Sequence, residues 1–419
     1  MLCRASSLAS KETAIKEASV SERILTSPST RPESQTMAQA LYIHWPFCLK
    51  KCPYCDFNSH VRAEVDHALW QDSLLADMRH EAAVAGGEPL QSVFFGGGTP
   101  SLMPPRLVSA ILAEAERLWG FASDVEITLE ANPTSFEAGR FKELSAAGVN
   151  RVSLGIQSLE NDALRFLGRE HTVDEALAAL NAAQGLFARV TFDLIYARPG
   201  QTVAEWDAEL SRALAFGTTH LSLYQLTIEP GTRFATDVRT GAFDPMEGND
   251  AAELYTRTQE MTLAAGLPAY EISNHAAPGQ ESRHNLTYWR YSDYCGIGPG
   301  AHGRRGGSAT QRHKKPENWL AAVAQCGEGT VELHALPAYE QASEALLMGL
   351  RLAEGVDLTK LAARTGIAPS ALLDGAKVVL YKDLGLVWRK GNRLGVTAAG
   401  MPLLDGLLAE LVSADLLGA

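Results

Sequence analysis

Three cysteines fall within one short run, Cys48-Leu49-Lys50-Lys51-Cys52-Pro53-Tyr54-Cys55. Thiolates spaced C-x3-C-x2-C can fold round one compact metal centre. A closed structural zinc site takes four protein ligands, so zinc would need His44 or His60 as the fourth. An iron–sulfur cube of four irons is usually held by four cysteines. Three cysteines leave one iron open to a small molecule that chelates through amino and carboxylate groups. The chain has six cysteines in 419 residues, too few for a disulfide scaffold. Their crowding at 48–55 points to a metal site in a reducing compartment. Cys295 and Cys326 stand alone and read as small buried apolar side chains. A second group is Gly96-Gly97-Gly98-Thr99-Pro100. Glycines let a ligand approach the backbone closely, although such a run is also an ordinary tight turn.

These residues need elements to position them, and the sequence supplies a regular alternation. Short runs rich in Val, Ile, Leu, Phe and Tyr occur at Leu41–Trp45, Ser92–Phe95, Val125–Glu130, Arg151–Gln157, Val190–Ile195 and His220–Leu226. Ala/Leu/Glu-rich stretches such as Asp66–Ala85 and Val173–Leu186 lie between them. This order predicts an α/β fold, a parallel sheet with crossover helices, and six such units suggest a partial (β/α)6 barrel. The run ends carry the glycines, Glu130, Gln157 and Asp193. The C-terminal strand ends of such barrels form the site, so these residues are expected to share one pocket.

Composition limits the function classes. Hydrophobic residues are 46% and charged residues 21%, the balance of a folded soluble protein. There is no run of about 18 uncharged apolar residues, so no membrane insertion is expected. With 37 Lys and Arg against 49 Asp and Glu, the net charge is 37 − 49 = −12. Unaided nucleic-acid binding rests on phosphate neutralisation, so no nucleic-acid partner is expected.

Four regions are expected. Residues 1–36 are serine-rich and lack apolar periodicity, so a disordered extension is predicted. Glu12, Glu17, Glu22 and Glu33 speak against a transit peptide, and Met37 is a candidate start. Residues 37–270 form the barrel and 271–337 a connecting region. Residues 338–419 form a module with helices, a hairpin around Lys390-Gly391-Asn392 and a final helix, a winged-helix-like arrangement. Its few cations favour a packing or partner role over DNA binding.

The cysteine spacing resembles the radical S-adenosylmethionine (SAM) family. The resemblance implies a [4Fe–4S] cluster at Cys48, Cys52 and Cys55 whose open iron chelates the methionine end of SAM. It also implies that the glycine run meets the methionine amino group and that Glu130 accepts hydrogen bonds from ribose hydroxyls. Tyr42-Ile43-His44-Trp45-Pro46-Phe47-Cys48, Glu130–Pro133, Gly155-Ile156-Gln157-Ser158, Arg169 and Asp193-Leu194-Ile195-Tyr196 narrow the likeness. They resemble the group containing oxygen-independent coproporphyrinogen III dehydrogenase and the HemW heme chaperones, over nearly all of residues 38–415. Carried over from that group, Tyr42, Gly97 and Glu130 serve a first SAM. Tyr54, Gly98, Thr99, Gln157, Arg169 and Asp193 lie near a second, if one exists.

Two features separate the branches. The dehydrogenase has a further cysteine two residues after the last cluster ligand, where this chain has Phe57. Residues His284-Asn285-Leu286-Thr287-Tyr288-Trp289 match a motif associated with heme in the chaperone branch. Neutral imidazole is a common axial ligand of heme iron, Tyr288 and Trp289 can lie along the macrocycle, and Arg283 and Arg290 can pair with propionates. The plainer reading of the segment is a hydrogen-bonded loop histidine with core aromatics. His275, His302 and His313 are other imidazoles nearby in sequence. The expectation is a cytoplasmic heme chaperone that binds heme and passes it to an acceptor protein, with an iron–sulfur cluster and SAM. The alternatives are oxidative decarboxylation of coproporphyrinogen III and radical chemistry on an unrelated substrate.

Overall fold

The computed structural model describes residues 39–62, 64–413 and 416. The expectations for residues 1–36 and for Met37 lie outside them. Strand β1 (Ala40–Trp45) leads into β2 (Phe47–Cys48) and β3 (His60–Val61), a parallel pair that brackets the cysteine loop. Alternation then follows: α1 (His67–Ala85), β4 (Leu90–Gly97), α2 (Pro105–Trp119), β5 (Phe121–Ala131), α3 (Ser135–Ala138), α4 (Phe141–Ala146) and β6 (Arg151–Gln157). It continues through α5 (Asn161–Phe166), α6 (Val173–Gln184), β7 (Arg189–Tyr196), α7 (Val203–Ala215), β8 (His220–Gln225), α8 (Arg233–Arg239) and α9 (Gly248–Ala264). Next come β9 (Asn274–Ala276), α10 (Arg283–Trp289) and β10 (Cys295–Ile297).

The large sheet has the order β10-β1-β4-β5-β6-β7-β8-β9. Its pairs are parallel except β8–β9. The six expected strands are its centre. It is wider than the sequence suggested, because β9 and β10 come from the segment expected only to connect.

Side chains alternate along these strands with a period of two. Leu41, Ile43, Val93, Phe95, Ile127, Leu129, Val152, Leu154, Phe192, Leu194, Leu221 and Leu223 share one core with Trp70, Leu74, Ile111, Leu180 and Trp206 of the helices. The alternate positions, including Thr128, Glu130, Ser153, Gln157, Asp193 and Ser222, point into the lumen. A usual barrel fills its interior with branched apolar residues. This one keeps its apolar mass outside, between sheet and helices.

Helix α10 stands at the N-terminal end of the strands. Its first residue, Arg283, donates its backbone N–H to Glu126 Oε1 at 2.9 Å. Glu126 also takes Arg151 at 3.1 Å and Arg189 at 2.9 Å. A buried carboxylate needs such partners, and here they fasten the helix to β5, β6 and β7.

An antiparallel sheet of β11 (His302–Arg305), β12 (Ser308–Arg312) and β13 (Thr330–Ala335), with α11 (Pro316–Cys326) between the last two, lies against α1. The contact combines the stacking of Trp319 on Trp70, ring centroids 5.2 Å apart, with buried ion pairs. Arg312, fully buried, reaches Glu81 at 2.6 Å and Asp77 at 3.5 Å. Arg305 adds a second cation to Glu81 at 2.8 Å. Asp77 also accepts from Trp319 Nε1 at 3.2 Å and from the backbone of Gly298 and Gly329.

The remaining chain forms α12 (Ala338–Gly349), β14 (Val356–Asp357), α13 (Leu358–Thr365), α14 (Pro369–Leu372), α15 (Gly375–Asp383), β15 (Val387–Lys390), β16 (Arg393–Val396) and α16 (Leu404–Leu411). Strand β16 lies between β14 and β15, and the hairpin turns at Gly391 and Asn392. This is the winged-helix-like arrangement. Its own core, around Leu346, Leu361, Leu394 and Leu408, takes in Tyr291 from just beyond α10.

Candidate cofactor site

The cysteine loop hangs over the C-terminal ends of the strands. Its path is fixed by main-chain bonds: Gly98 N–H donates to Trp45 O at 2.7 Å and Thr99 N–H to Phe47 O at 2.8 Å. A Cβ on Gly98 would lie 2.6 Å from Phe47 O. Side chains are therefore excluded there by the cysteine loop itself, whatever ligand approaches. Gly97 has φ 116°, which favours glycine, and its N–H donates to Glu130 Oε2 at 3.2 Å.

Cys48 is buried and Cys52 and Cys55 are half-buried. Burial pushes the Cys48 and Cys55 thiols up from their usual pKa, an effect that a bound cation opposes. Arg169 donates from Nη1 to Cys52 Sγ at 3.3 Å and from Nη2 to Asn132 Oδ1 at 2.6 Å and Gly155 O at 2.7 Å. A guanidinium is thus locked beside a sulfur, where it pairs with a thiolate ligand. Among the described residues, no three His, Cys, Asp or Glu side chains converge to hold a single metal ion. Three thiols on one loop, with an arginine beside one of them, suit an iron–sulfur cluster by donor chemistry.

A cavity of about 1390 Å³ opens from this loop into the lumen. Cys52, Cys55, Tyr54, Gly97, Gly98, Thr99, Glu130, Gln157, Arg169 and Asp193 all line it. The structure therefore brings together most of the residues singled out from sequence. Two lumen carboxyls are shifted. Glu130 is raised to about 8, first by burial and then by Asp193, against the Gly97 N–H. Asp193 is raised to about 6 by burial, against hydrogen bonds from Ser222 and Ser153. Gln157 closes β6 with φ 73°, a left-handed conformation uncommon outside glycine. Beyond it, Ser158 Oγ and Leu159 N–H both bond Glu209, which Arg198 pairs at 2.6 Å. That buried knot holds the strained turn.

Tyr42 lies lower. Its hydroxyl meets His44 Nδ1 at 2.9 Å, and with Gly97 and Glu130 it lines a second cavity of about 640 Å³. Asp56 and Phe57 border both cavities.

The segment expected to present heme ligands is arranged differently. His284 is buried, with its ring stacked 4.5 Å from Phe94 and edge-on to Tyr288 at 4.7 Å. Burial lowers its pKa to about 3. His284 and Trp289 line neither cavity. Arg283 is paired with Asp124, and Arg290 with Glu354 at 2.8 Å. The reason is position: α10 plugs the barrel, so its imidazole faces the lumen wall and its arginines face carboxylates of the surrounding shell. Of the motif, Tyr288 lines the second of these cavities.

Sequence reasoning missed the roof of the main cavity. Tyr381, Leu386, Met401, Leu404 and Leu407 of the C-terminal module line it. No local motif marks them, since they reach the site only through the docking of the module.

Comparison with known proteins bears on the whole arrangement. The radical SAM superfamily model matches residues 42–213, and that of the HemN C-terminal domain residues 336–403. A mouse protein, Radical S-adenosyl methionine domain-containing protein 1, mitochondrial, is 41% identical over 91% of this chain and 89% of its own. Two bacterial proteins named Heme chaperone HemW also match. That of Escherichia coli is 43% identical over 63% of this chain and 70% of its own, and that of Bacillus subtilis 33% over 86% and 96%. The chain belongs to the HemW branch of the radical SAM superfamily. A solved structure described as coproporphyrinogen III oxidase (HemN) from Escherichia coli covers 89% of each chain at 23% identity with TM-score 0.75. It supports the same fold for this HemW-branch protein. Relatives of the branch divide between bacterial proteins and proteins named as mitochondrial, so they fix no compartment. No described helix is long and apolar enough to cross a membrane.

Proposed function

We propose that this HemW-branch protein is a heme chaperone: it binds heme and passes it to an acceptor protein. The observation that carries this reading is the match, over most of the chain, to proteins named as heme chaperones. We further assign Cys48, Cys52 and Cys55 to one [4Fe–4S] cluster and the lumen residues to SAM. Bound there, cluster and SAM supply one-electron reduction of a sulfonium.

The chain's own residues have definite parts. Arg169 balances charge at Cys52 and ties the loop to Asn132 and Gly155. Glu130 and Asp193 would offer their half-buried carboxyl groups to the hydroxyl and ammonium groups of SAM. Gln157, Thr99 and Tyr54 line the remaining wall. Phe57 presents a phenyl ring, 59% exposed, at the mouth of the cavity. It cannot supply the thiol found at that position in the decarboxylating enzymes, which favours the chaperone reading over coproporphyrinogen turnover.

The test is a spectroscopic titration of the reconstituted protein with hemin, followed by mixing with an apo-hemoprotein. Saturable Soret changes and transfer to the acceptor are expected. Absence of saturable binding would overturn the reading.

A further inference from the structure

The main cavity is larger than one cofactor requires. Small-molecule sites span ~300–1,000 Å³, and this one measures about 1390 Å³. The residues assigned there to SAM run from the cysteine loop to Asp193. Another part of the wall comes from later in the chain and has no role in that assignment. Leu226 and Glu229 follow β8, Tyr255 lies on α9, and Leu404 and Leu407 lie on α16 with Met401 just before it. Gln225 ties β8 to α9, donating from Nε2 to Ala251 O at 2.6 Å.

The charge of this cavity is one-sided. Among the described residues, the carboxyl groups of Asp56, Glu130, Asp193, Glu229, Asp405 and Glu410 line it against one guanidinium, that of Arg169. Arg169 is already committed to Cys52. Asp405 is paired with Arg351 at 3.3 Å and Glu410 with Lys377. Glu229 is half-buried and has no cation partner among the described residues. Its main chain is fixed, the carbonyl accepting from Thr232 Oγ1 at 2.7 Å. A cleft lined by one sign of charge raises the local concentration of the opposite sign ~10–10³-fold. Met401, Leu404 and Leu407 add apolar surface for a hydrocarbon body. Tyr255 and Tyr381 add rings on which an ammonium can lie. The same charge disfavours carboxylate-rich macrocycles.

We propose that the main cavity holds a second ligand beside SAM: a primary amine with an apolar body, its ammonium paired with Glu229 and its body against the roof from the C-terminal module. The proposal goes beyond the heme-chaperone reading and does not depend on it. It rests on the assignment of the lumen residues to SAM only for its neighbour.

The test is a calorimetric titration of the full-length, cluster-reconstituted, heme-free protein, with and without saturating SAM. Three probes share one indole body: tryptamine, tryptophol and indole-3-propionate. Tryptamine should bind saturably and at least tenfold more tightly than indole-3-propionate, with tryptophol between them. Glu229→Gln should weaken tryptamine about fivefold or more and leave tryptophol within about twofold. Met401→Gln should weaken both by a similar factor. Iron and sulfide content and SAM affinity should be unaltered in both variants. The proposal is overturned if tryptamine shows no saturable binding, if indole-3-propionate binds as tightly, or if Glu229→Gln keeps the native tryptamine affinity. Displacement of tryptamine by SAM would also overturn it, since the two would then share one place. If SAM itself does not bind, the SAM assignment falls, while the same three probes still decide the amine site.

Discussion

Glu130 is held in the lumen at a cost that can be measured. Its carboxyl is raised from the usual 4.5 to about 8, mainly by burial. The difference, about 3.5, corresponds to about 5 kcal/mol at ~1.36 kcal/mol per pKa unit. Part is screened by the adjoining cavity, so about 2 kcal/mol is the realistic size. The sign follows from proton binding. The native state holds the Glu130 proton more tightly than the unfolded chain does. The penalty is therefore absent below pH 4.5, grows as the unfolded carboxyl ionises, and is complete above pH 8. Glu130→Gln removes the ionisable group and keeps the shape. The variant should be more stable than the native protein by about 2 kcal/mol at pH 8.5, with the gain shrinking to nothing towards pH 4.5. Urea denaturation of the SAM-free protein across this range measures it. An equal or lower stability of the variant at pH 8.5, or a difference that does not change with pH, would refute the burial argument. Above pH 8, where Glu130 is ionised, the same variant should bind SAM about tenfold more weakly, the loss of one charge-assisted contact of ~1.4 kcal/mol.

Three further outcomes are expected. Anaerobic reconstitution should load one cluster per chain, and Cys52→Ser should lose most of its iron and sulfide; a stoichiometric zinc site unchanged by reconstitution would contradict the assignment. Arg312→Met should cost ~3–5 kcal/mol, because it leaves Asp77 and Glu81 buried without their shared cation; chemical denaturation showing a loss below about 1 kcal/mol would mean the other donors suffice. With reductant, SAM and coproporphyrinogen III, the reconstituted protein should form no decarboxylated product, as judged by porphyrin chromatography, and turnover near ~1 s⁻¹ would count against the chaperone reading.

The six central strands and the cysteine loop were legible because their signals are local. A β-rich run such as Arg151–Gln157 needs no distant partner to be read, and neither does a C-x3-C-x2-C spacing. Polar residues at successive strand ends also sufficed to collect Glu130, Gln157 and Asp193 into one cavity. The edge strands at Asn274–Ala276 and Cys295–Ile297 were not legible. Each is three residues long, too short for a periodic signal. The orientation of α10 was hidden for another reason. Its motif names residue types, but whether His284 faces solvent or the lumen depends on Glu126 and Arg151 at the strand starts, more than a hundred residues earlier. The same holds for Met401 and Leu404, which reach the cavity by docking.

The inverted polarity of the barrel separates two kinds of selection. Residues such as Leu154, Phe192 and Trp206, which bury apolar area against one another, answer for persistence of the fold. The residues between them in sequence, such as Ser153, Asp193 and Ser222, contribute little to that apolar core. Substitution in the lumen is therefore expected to be cheap in stability, and for Glu130→Gln a net gain is predicted. A vessel built this way can exchange its contents over evolutionary time, acquiring or losing a chemistry by changing every second residue of a strand while the scaffold that faces the helices stays as it was.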